Sequence, residues 1–110
     1  MQMIKTIIRP NKVDEVKDAV SKLNVSGMTV TEVRGHGHQK GHTTVYRGKE
    51  YNIDLVPKMA IEIVVDDSLV DEVIAAIMSA ARTGEIGDGR VFVMPVTQSY
   101  KIRTGELLRA

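Results

Sequence analysis

Apolar and polar residues along the first third of the chain follow patterns that predict a strand, a helix and a second strand. The β-branched segment from Met3 to Arg9 is typical of a short strand, and Pro10 ends it. Asn11 is a candidate helix N-cap. Apolar residues then recur at steps of three and four among charged ones, which predicts an amphipathic helix that residues 24–27 end. Those apolar residues are Val13, Val16, Val20 and Leu23. The segment from Met28 to Arg34, rich in Val and Thr, predicts the second strand.

The second half of the chain repeats this order. Clean alternation from Met59 to Val65 predicts a strand, and residues 66–68 supply a turn and a helix cap. An apolar stripe at helical spacing then predicts a second helix. The stripe consists of Val70, Val73, Ile74, Ile77, Met78 and Ala81. The segment from Val91 to Val96 predicts a fourth strand, in which Pro95 indicates an edge or an end. The tail, residues 97–110, is polar and basic.

The two halves also share a short sequence. Val13-Asp14-Glu15-Val16 at the start of the first helix matches Val70-Asp71-Glu72-Val73 at the start of the second. Two βαβ halves joined by a long connection predict an α+β, ferredoxin-like βαββαβ sandwich, with both helices on one face of an antiparallel sheet. We therefore expect residues 1–110 to form a single domain.

The other face of the predicted sheet has no helix left to cover it. Two of its apolar residues must be Ile7 and Val64. A third is either Phe92 or one of its neighbours, Val91 and Val93. Because an open apolar sheet face is normally buried by association, we expect a homo-oligomer with candidate sites in the clefts between subunits.

Composition narrows the classes of function. The chain has 110 residues, 43% hydrophobic and 26% charged, which fits one ordinary globular domain. Its net charge of +1 gives no reason to expect nucleic acid or a membrane surface as a partner. The absence of cysteine excludes disulfides, thiolate zinc sites and cysteine nucleophiles. The first residues lack a signal-peptide pattern, and no run approaches the ~20 apolar residues of a membrane span, so we expect a cytoplasmic protein without membrane insertion.

Residues 83–90, Thr-Gly-Glu-Ile-Gly-Asp-Gly-Arg, carry the first candidate chemistry. As plain structure they would be a helix C-cap at Gly84 followed by an Asp88-Gly89 turn, and composition alone favours this interpretation. As a binding site they would form a backbone cradle, in which N–H groups converge on phosphate oxygens and Arg90 adds positive charge. The segment is not a Walker A loop, because it contains no Gly-Lys-Ser/Thr.

The connection from residue 35 to residue 57 is long and rich in glycine, which is typical of a functional segment. Its histidines are His36, His38 and His42. They have no carboxylate at an obvious ligand spacing, so solvated loop histidines are favoured over a metal site. Tyr46 and Tyr51 lie among polar and charged neighbours, which indicates contact with a partner or a modifying enzyme.

No catalytic set of residues stands out. Glu62, the acid inside the third predicted strand, is a candidate general base, although a single such residue is more often a hydrogen-bonding anchor. Lys101 and Arg103 belong either to a solvated tail or to a tail that folds back onto an anion.

Five stretches of the chain form motifs that follow one another in order. They are Gly27–Val33 running into Gly35–His42, Tyr46–Tyr51, Pro57–Lys58 before Ile61–Val65, Thr83–Val93, and Lys101–Glu106. Together they resemble the PII nitrogen-regulatory signal-transduction proteins over essentially the whole chain. The resemblance implies a ferredoxin-like homotrimer in which residues 37–55 are the T-loop, residues 83–90 the B-loop and residues 97–110 the C-terminal loop.

The resemblance further implies that ATP or ADP binds between subunits. The implied nucleotide-binding residues are Ile7, Thr29, Gly35, Gly37, His38, Gln39, Glu62, Val64, Gly87, Asp88, Gly89 and Arg90, with Lys101 and Arg103 from the neighbouring subunit. 2-Oxoglutarate would bind beside Mg-ATP at the base of the T-loop. The residues implied for it are Gln39, Lys40, Gly41, Lys58 and Gly87. Gln39 would complete the Mg²⁺ coordination sphere, and Lys58 would form a salt bridge with the acid.

By the same resemblance the protein is a regulator and not an enzyme, and its T-loop contacts an ammonium transporter or a nitrogen-metabolism enzyme or regulator. The implied contact residues are Tyr46, Arg47, Lys49 and Tyr51, and Tyr51 is also the candidate modification site. The alternatives are a small ATP-hydrolysing enzyme of ferredoxin-like fold and a PII-like metal-binding adaptor.

Three positions depart from the common family pattern. His38 stands where the family usually has Arg, and a neutral imidazole is a weaker phosphate partner. His36 replaces a frequent aromatic residue. Lys49 replaces a small residue in the Tyr-Arg-Gly-x-Glu-Tyr motif, which changes the surroundings of Tyr51.

Overall fold

A computed structural model describes the backbone of residues 1–36, 43–46, 49–52 and 55–109, and the side chains of residues 1–36 and 55–108. In chain order its elements are β1 (Gln2–Ile8), α1 (Val13–Ser21), β2 (Thr29–Gly35), β3 (Thr43–Tyr46), β4 (Lys49–Asn52), β5 (Val56–Val65), α2 (Val70–Ala81), β6 (Gly89–Pro95), β7 (Gln98–Tyr100) and β8 (Leu107–Arg109). Within those ranges, no helix has the length and apolar character that crossing a membrane requires.

Four of the strands form one antiparallel sheet in the order β2-β5-β1-β6. The first strand of each half, β1 or β5, is central, and the last strand of each half, β2 or β6, lies at an edge. With one helix inside each half, this arrangement is the predicted ferredoxin-like βαββαβ sandwich. The fold class is therefore confirmed.

The core lies between this sheet and the two helices. On β1, Ile4, Thr6 and Ile8 are buried and the residues between them are half-buried, as expected for a strand with one covered face. Val16 of α1 and Val73 of α2, which end the two matching Val-Asp-Glu-Val segments, are fully buried against it. Burial of one such side chain stabilises the fold by about 1.5–3 kcal/mol, so the repeated sequence marks the two helix faces that hold the domain together.

Both helices begin differently from the prediction. Asn11 lies inside a 3₁₀ turn, Pro10–Lys12, and the N-cap of α1 is Lys12, which makes no side-chain capping hydrogen bond. The predicted N-cap at Asn11 is therefore wrong, because the proline starts the turn immediately after Arg9 and the chain is already wound at Asn11. A second 3₁₀ turn, Asp67–Leu69, leads into α2 in the same way and also lacks a side-chain cap.

The third predicted strand starts earlier than its alternation indicates. β5 begins at Val56, not at Met59, and includes Pro57. Pro57 lies opposite Arg34 of β2, beyond the last pair that joins β5 to β1, Met59 with Ile8. A proline is tolerated there because only one side of the strand is paired.

Two hairpins stand apart from the main sheet. β3 and β4 pair with each other inside the predicted T-loop. β7 and β8 pair within the tail, for which the sequence pattern predicted no strand. The turn of the second hairpin is closed by bonds from the Lys101 N–H to the Glu106 carbonyl (2.9 Å) and from the Gly105 N–H to the Lys101 carbonyl (2.8 Å). Gly105 has φ +73°, a conformation that glycine adopts without strain.

Among the described residues, the sheet face opposite the helices is partly apolar and partly exposed. The register places Phe92 opposite Lys5 and places Val91 opposite the buried Thr6. Phe92 therefore lies on the open face with Ile7 and Val64, while Val91 and Val93 lie on the helix side. The Phe92 side chain is 43% exposed.

Candidate functional site

Residues 83–90, which follow α2 and include the first two residues of β6, fold around the carboxylate of Asp88, and we call them the glycine loop. One oxygen of that carboxylate accepts hydrogen bonds from the N–H groups of Thr83 (2.8 Å) and Gly84 (2.9 Å), and the other accepts one from the Thr83 hydroxyl. The Thr83 hydroxyl oxygen in turn accepts a bond from the Glu85 N–H at 3.1 Å. Gly84 and Gly87 have φ +89° and +99°, which lets the backbone curl around the carboxylate.

The predicted C-cap at Gly84 is wrong. α2 ends at Ala81, and its C-cap is Arg82 in extended backbone. The Asp88 side chain, reaching back across the loop, binds the amides that follow the helix. Asp88 therefore organises the whole loop and is more than a turn residue.

Asp88 is ionised over the physiological pH range. Hydrogen bonds from the hydroxyl and then the amide of Thr83, with smaller contributions from the Gly84 amide and Arg9, hold the pKa of the Asp88 carboxyl well below its usual range. Partial burial acts in the opposite direction and is outweighed. The loop thus contains a fixed negative charge, which a neighbouring cation stabilises further.

Arg9, which follows the last residue of β1, supplies that cation. Its Nε lies 3.3 Å from Asp88 Oδ1, and its Nη2 donates a 2.8 Å hydrogen bond to the Ile86 carbonyl. The Arg9 side chain is only 23% exposed. Arg9 was not among the predicted site residues, since it is 79 residues from Asp88 and only the pairing of β1 with β6 brings the two together.

Gly89 closes the loop against β1. It has φ +109°, and a Cβ at this position would overlap the Ile7 carbonyl oxygen. Because Ile8 pairs with Gly89 and Ile7 with Arg90, the loop enters β6 in direct contact with the β1 backbone. No other residue fits here without moving one of the two strands.

Lys58 of β5 joins the same cluster from the other side. Its side chain is almost fully buried, and its Nζ donates a 2.7 Å hydrogen bond to the Gly87 carbonyl. Burial lowers the pKa of Lys58, and the positive charge of Arg9 lowers it further, while Asp88 acts to raise it. A Cβ at Gly35 would lie 3.5 Å from the Lys58 Cγ, an ordinary van der Waals contact, so position 35 lies directly beside the lysine stem.

One copy of the chain brings some of the predicted binding residues together at this end of the sheet. They are Ile7, Gly35, Lys58, Gly87, Asp88, Gly89 and Arg90. Other predicted residues lie further along the open face. Glu62 and Val64 are two and four residues beyond Ala60, the β5 partner of Ile7, and Thr29 pairs with Glu62. At ~3.3 Å per residue, Val64 lies about 13 Å along the strand from Ala60.

The predicted binding residues of the tail are not part of this cluster. Lys101 and Arg103 are exposed on the turn of the β7–β8 hairpin, where the Lys101 Nζ lies 3.7 Å from the Glu106 carboxylate. Where side chains are described, no hydrogen bond or ion pair joins that turn to the glycine loop. Gly37, His38, Gln39, Lys40, Gly41, His42 and Arg47 lie outside the described residues, as do the side chains of Tyr46, Lys49 and Tyr51.

A groove of about 440 Å³ lies on the helix side of the sheet, between α2 and β6. Its lining is mainly aliphatic, from Ile74, Ile77 and Met78 of the helix and Val91 and Val93 of the strand. The glycine loop borders only one end of it. An aliphatic groove does not suit a polyphosphate, so the polar cluster around the loop is the stronger candidate site.

Comparison with known proteins adds an independent result. The family model described as "Nitrogen regulatory protein P-II" matches residues 1–106 of the chain. Curated relatives with that name include proteins of Azospirillum brasilense (55% identical) and Nostoc punctiforme (56% identical), each aligned over 106 residues. A third, from Haemophilus influenzae, is 53% identical over the same length. In all three, the alignment covers 96% of this chain and 95% of the relative.

Proposed function

The chain belongs to the nitrogen regulatory protein P-II family, and on that basis we propose that it senses ATP or ADP and, with Mg-ATP, 2-oxoglutarate, and regulates partner proteins through its T-loop. The observation that carries the proposal is the glycine loop, curled around Asp88 with Arg90 at its end. The N–H groups of residues 83–85 are already bonded within the loop, so in the proposed site the amides of Gly87 and Asp88 would face the phosphate oxygens. Arg90 would add charge-assisted bonds. The proposed role is regulatory and not catalytic.

The balance of charge around the loop supports a phosphate ligand. Arg9 is paired with Asp88, and these two charges offset each other. Arg90, at the end of the loop, adds a positive charge. A triphosphate that enters beside residues 87–90 would meet this charge, with Asp88 shaping the loop and not itself contacting phosphate.

We propose a homotrimer because the predicted nucleotide-binding residues do not converge in one copy. Thr29, Glu62 and Val64 lie along the open face, and the hairpin carrying Lys101 and Arg103 is exposed. A neighbouring subunit packed on the open face, where Phe92 and Met94 are 43% and 38% exposed, would bury apolar surface and bring its own residues to this loop.

The 2-oxoglutarate site would lie where Lys58 meets the base of the T-loop. The two carboxylates of 2-oxoglutarate and the triphosphate of ATP are all negatively charged, so they repel each other unless a cation lies between them. Lys58 alone cannot balance that much negative charge. We therefore propose that Mg²⁺, coordinated by the γ-phosphate of ATP and by Gln39, completes the site together with Lys40, Gly41 and Gly87. ADP lacks the γ-phosphate and should not substitute.

The output would be the T-loop, residues 37–55, whose root carries the proposed ligand contacts. An ammonium transporter or a nitrogen-metabolism enzyme or regulator in the cytoplasm is the proposed partner, contacted by Tyr46, Arg47, Lys49 and Tyr51. Effector binding can change partner affinity only to the extent that the effector binds one loop conformation more tightly than another. The coupling free energy is typically ~1–3 kcal/mol, which changes partner affinity by about one to two orders of magnitude. Tyr51 remains the proposed modification site.

Isothermal calorimetry tests the proposal on the full chain. We expect binding of ATP and of ADP, and binding of 2-oxoglutarate only when both Mg²⁺ and ATP are present. Equal 2-oxoglutarate binding with ADP, or without metal, would contradict the linkage, and absence of nucleotide binding would contradict the proposal as a whole. Steady-state phosphate release at ordinary enzyme rates, ~1–10³ s⁻¹, would favour the ATP-hydrolysing alternative.

A further inference from the structure

The side chain of Arg9, which lies outside the glycine loop, bonds two residues within it. We propose that Arg9 is a positioning residue for this loop and fixes the direction of the Gly87 N–H. The proposal rests on the proposed nucleotide site, because it assigns the orientation of one of the amides that would face phosphate.

The geometry of the peptide group connects Arg9 to that amide. The described residues contain no cis peptide bond, so the carbonyl of Ile86 and the N–H of Gly87 point in opposite directions across one planar unit. Arg9 Nη2 holds the Ile86 carbonyl at 2.8 Å. The Gly87 N–H must therefore point away from the guanidinium.

The next peptide is held in the same manner from β5. Lys58 binds the Gly87 carbonyl at 2.7 Å, so the Asp88 N–H points away from the Lys58 ammonium. Two successive carbonyls are thus engaged by two cations, and two successive amides have defined directions. Gly87, with φ +99°, is free enough in its backbone that these external bonds are needed to select one orientation.

Arginine suits this position better than lysine. The guanidinium bonds the Asp88 carboxylate through Nε and the Ile86 carbonyl through Nη2, two loop atoms that belong to residues two apart. A lysine ammonium is a single point donor without this fork. Lysine at position 9 should therefore keep the charge and one of the two bonds but leave the Ile86–Gly87 peptide less well oriented.

We would compare Arg9→Met and Arg9→Lys with Arg82→Met. The control removes a positive charge immediately before the same loop, from a side chain that makes no hydrogen bond or ion pair with any residue whose side chain is described. By calorimetry at low ionic strength, we expect about tenfold weaker ATP binding for Arg9→Met, about threefold weaker for Arg9→Lys and less than twofold for Arg82→Met. Unchanged ATP affinity in a folded Arg9→Met protein would overturn the proposal. If that variant does not fold, Arg9→Lys with wild-type affinity would do the same.

Two NMR measurements without nucleotide separate positioning from general stability. The order parameter of the Gly87 amide should fall from about 0.85 towards 0.6 in Arg9→Met and stay unchanged in Arg82→Met. The pKa of Lys58 should rise in Arg9→Met, since Arg9 lowers it, and should fall in Asp88→Asn. If wild-type protein bound no ATP, the proposed function would fail, and an unchanged Gly87 order parameter would independently refute the role of Arg9.

Discussion

Substitution of Gly89 by alanine should destabilise the protein through two additive effects. The residue has φ +109°, and a side chain in a left-handed conformation costs about 1–2 kcal/mol. The added Cβ would also overlap the Ile7 carbonyl oxygen and lie 2.8 Å from its carbonyl carbon, which forces β6 away from β1. Displacements of this kind cost about 1–3 kcal/mol. We therefore expect the free energy of unfolding to fall by about 2–5 kcal/mol.

Two other glycines provide matched controls for the separate effects. Gly84 has φ +89° but nothing within 4 Å of an added Cβ, so Gly84→Ala should show the conformational cost alone, about 1–2 kcal/mol. Gly27 also has open space and no positive φ, so Gly27→Ala should be neutral or stabilising by up to about 1 kcal/mol.

Urea denaturation followed by circular dichroism would measure all three variants. Protein concentration must be the same throughout, because the proposed subunit association would make apparent stability depend on concentration. From most to least stable, we expect the order Gly27→Ala, Gly84→Ala, Gly89→Ala. If Gly89→Ala proves as stable as Gly84→Ala, the contact with the Ile7 carbonyl does not constrain the β1–β6 pair and our explanation is incorrect.

Three further predictions concern the loop and the output segment. Because the pKa of the Asp88 carboxyl is lowered in the folded state, its contribution to stability is present above about pH 4 and is lost as the pH falls. Asp88→Asn should therefore be less stable than wild type at pH 7, with the gap narrowing towards pH 2 in urea titrations; a gap that stays constant would count against this. Gly87→Val places a side chain where phosphate should approach the backbone, so calorimetry should show weaker ATP binding, and undiminished affinity would remove the loop from the site. Deletion of residues 43–54 removes β3 and β4, which pair only with each other among the described strands, and should preserve assembly and ATP binding while abolishing partner capture in a pull-down. A deletion variant with normal, effector-sensitive capture would place the output surface elsewhere.

Periodicity in the sequence was sufficient to predict the fold class. Alternation at period two in β5 and the apolar stripe of α2 both report which side of an element is buried, and that information is local. The repeated Val-Asp-Glu-Val segment indicated that the two halves of the chain have the same order of elements. Its last residue in each half, Val16 or Val73, is fully buried in the core. The glycines and Arg90 of the loop were likewise identified as candidate chemistry from sequence.

The contacts that shape the site depend on pairings between distant strands, and the sequence does not encode these in any local pattern. Arg9 reaches Ile86 and Asp88 only because β1 pairs with β6. The bond from Lys58 to the Gly87 carbonyl requires β5 to lie beside β1, with the first residues of β5 next to the loop.

Strand register and long-range contacts also explain what else the sequence pattern could not predict. The register of β6 placed Phe92, and not Val91 or Val93, on the open face. The need for glycine at position 89 comes from the Ile7 carbonyl, which is far away in sequence and in direct contact in the fold. Local sequence thus determined which elements form and which of their faces are buried. The tertiary structure decided which backbone and side-chain groups meet, because that depends on strand register and on long-range contacts.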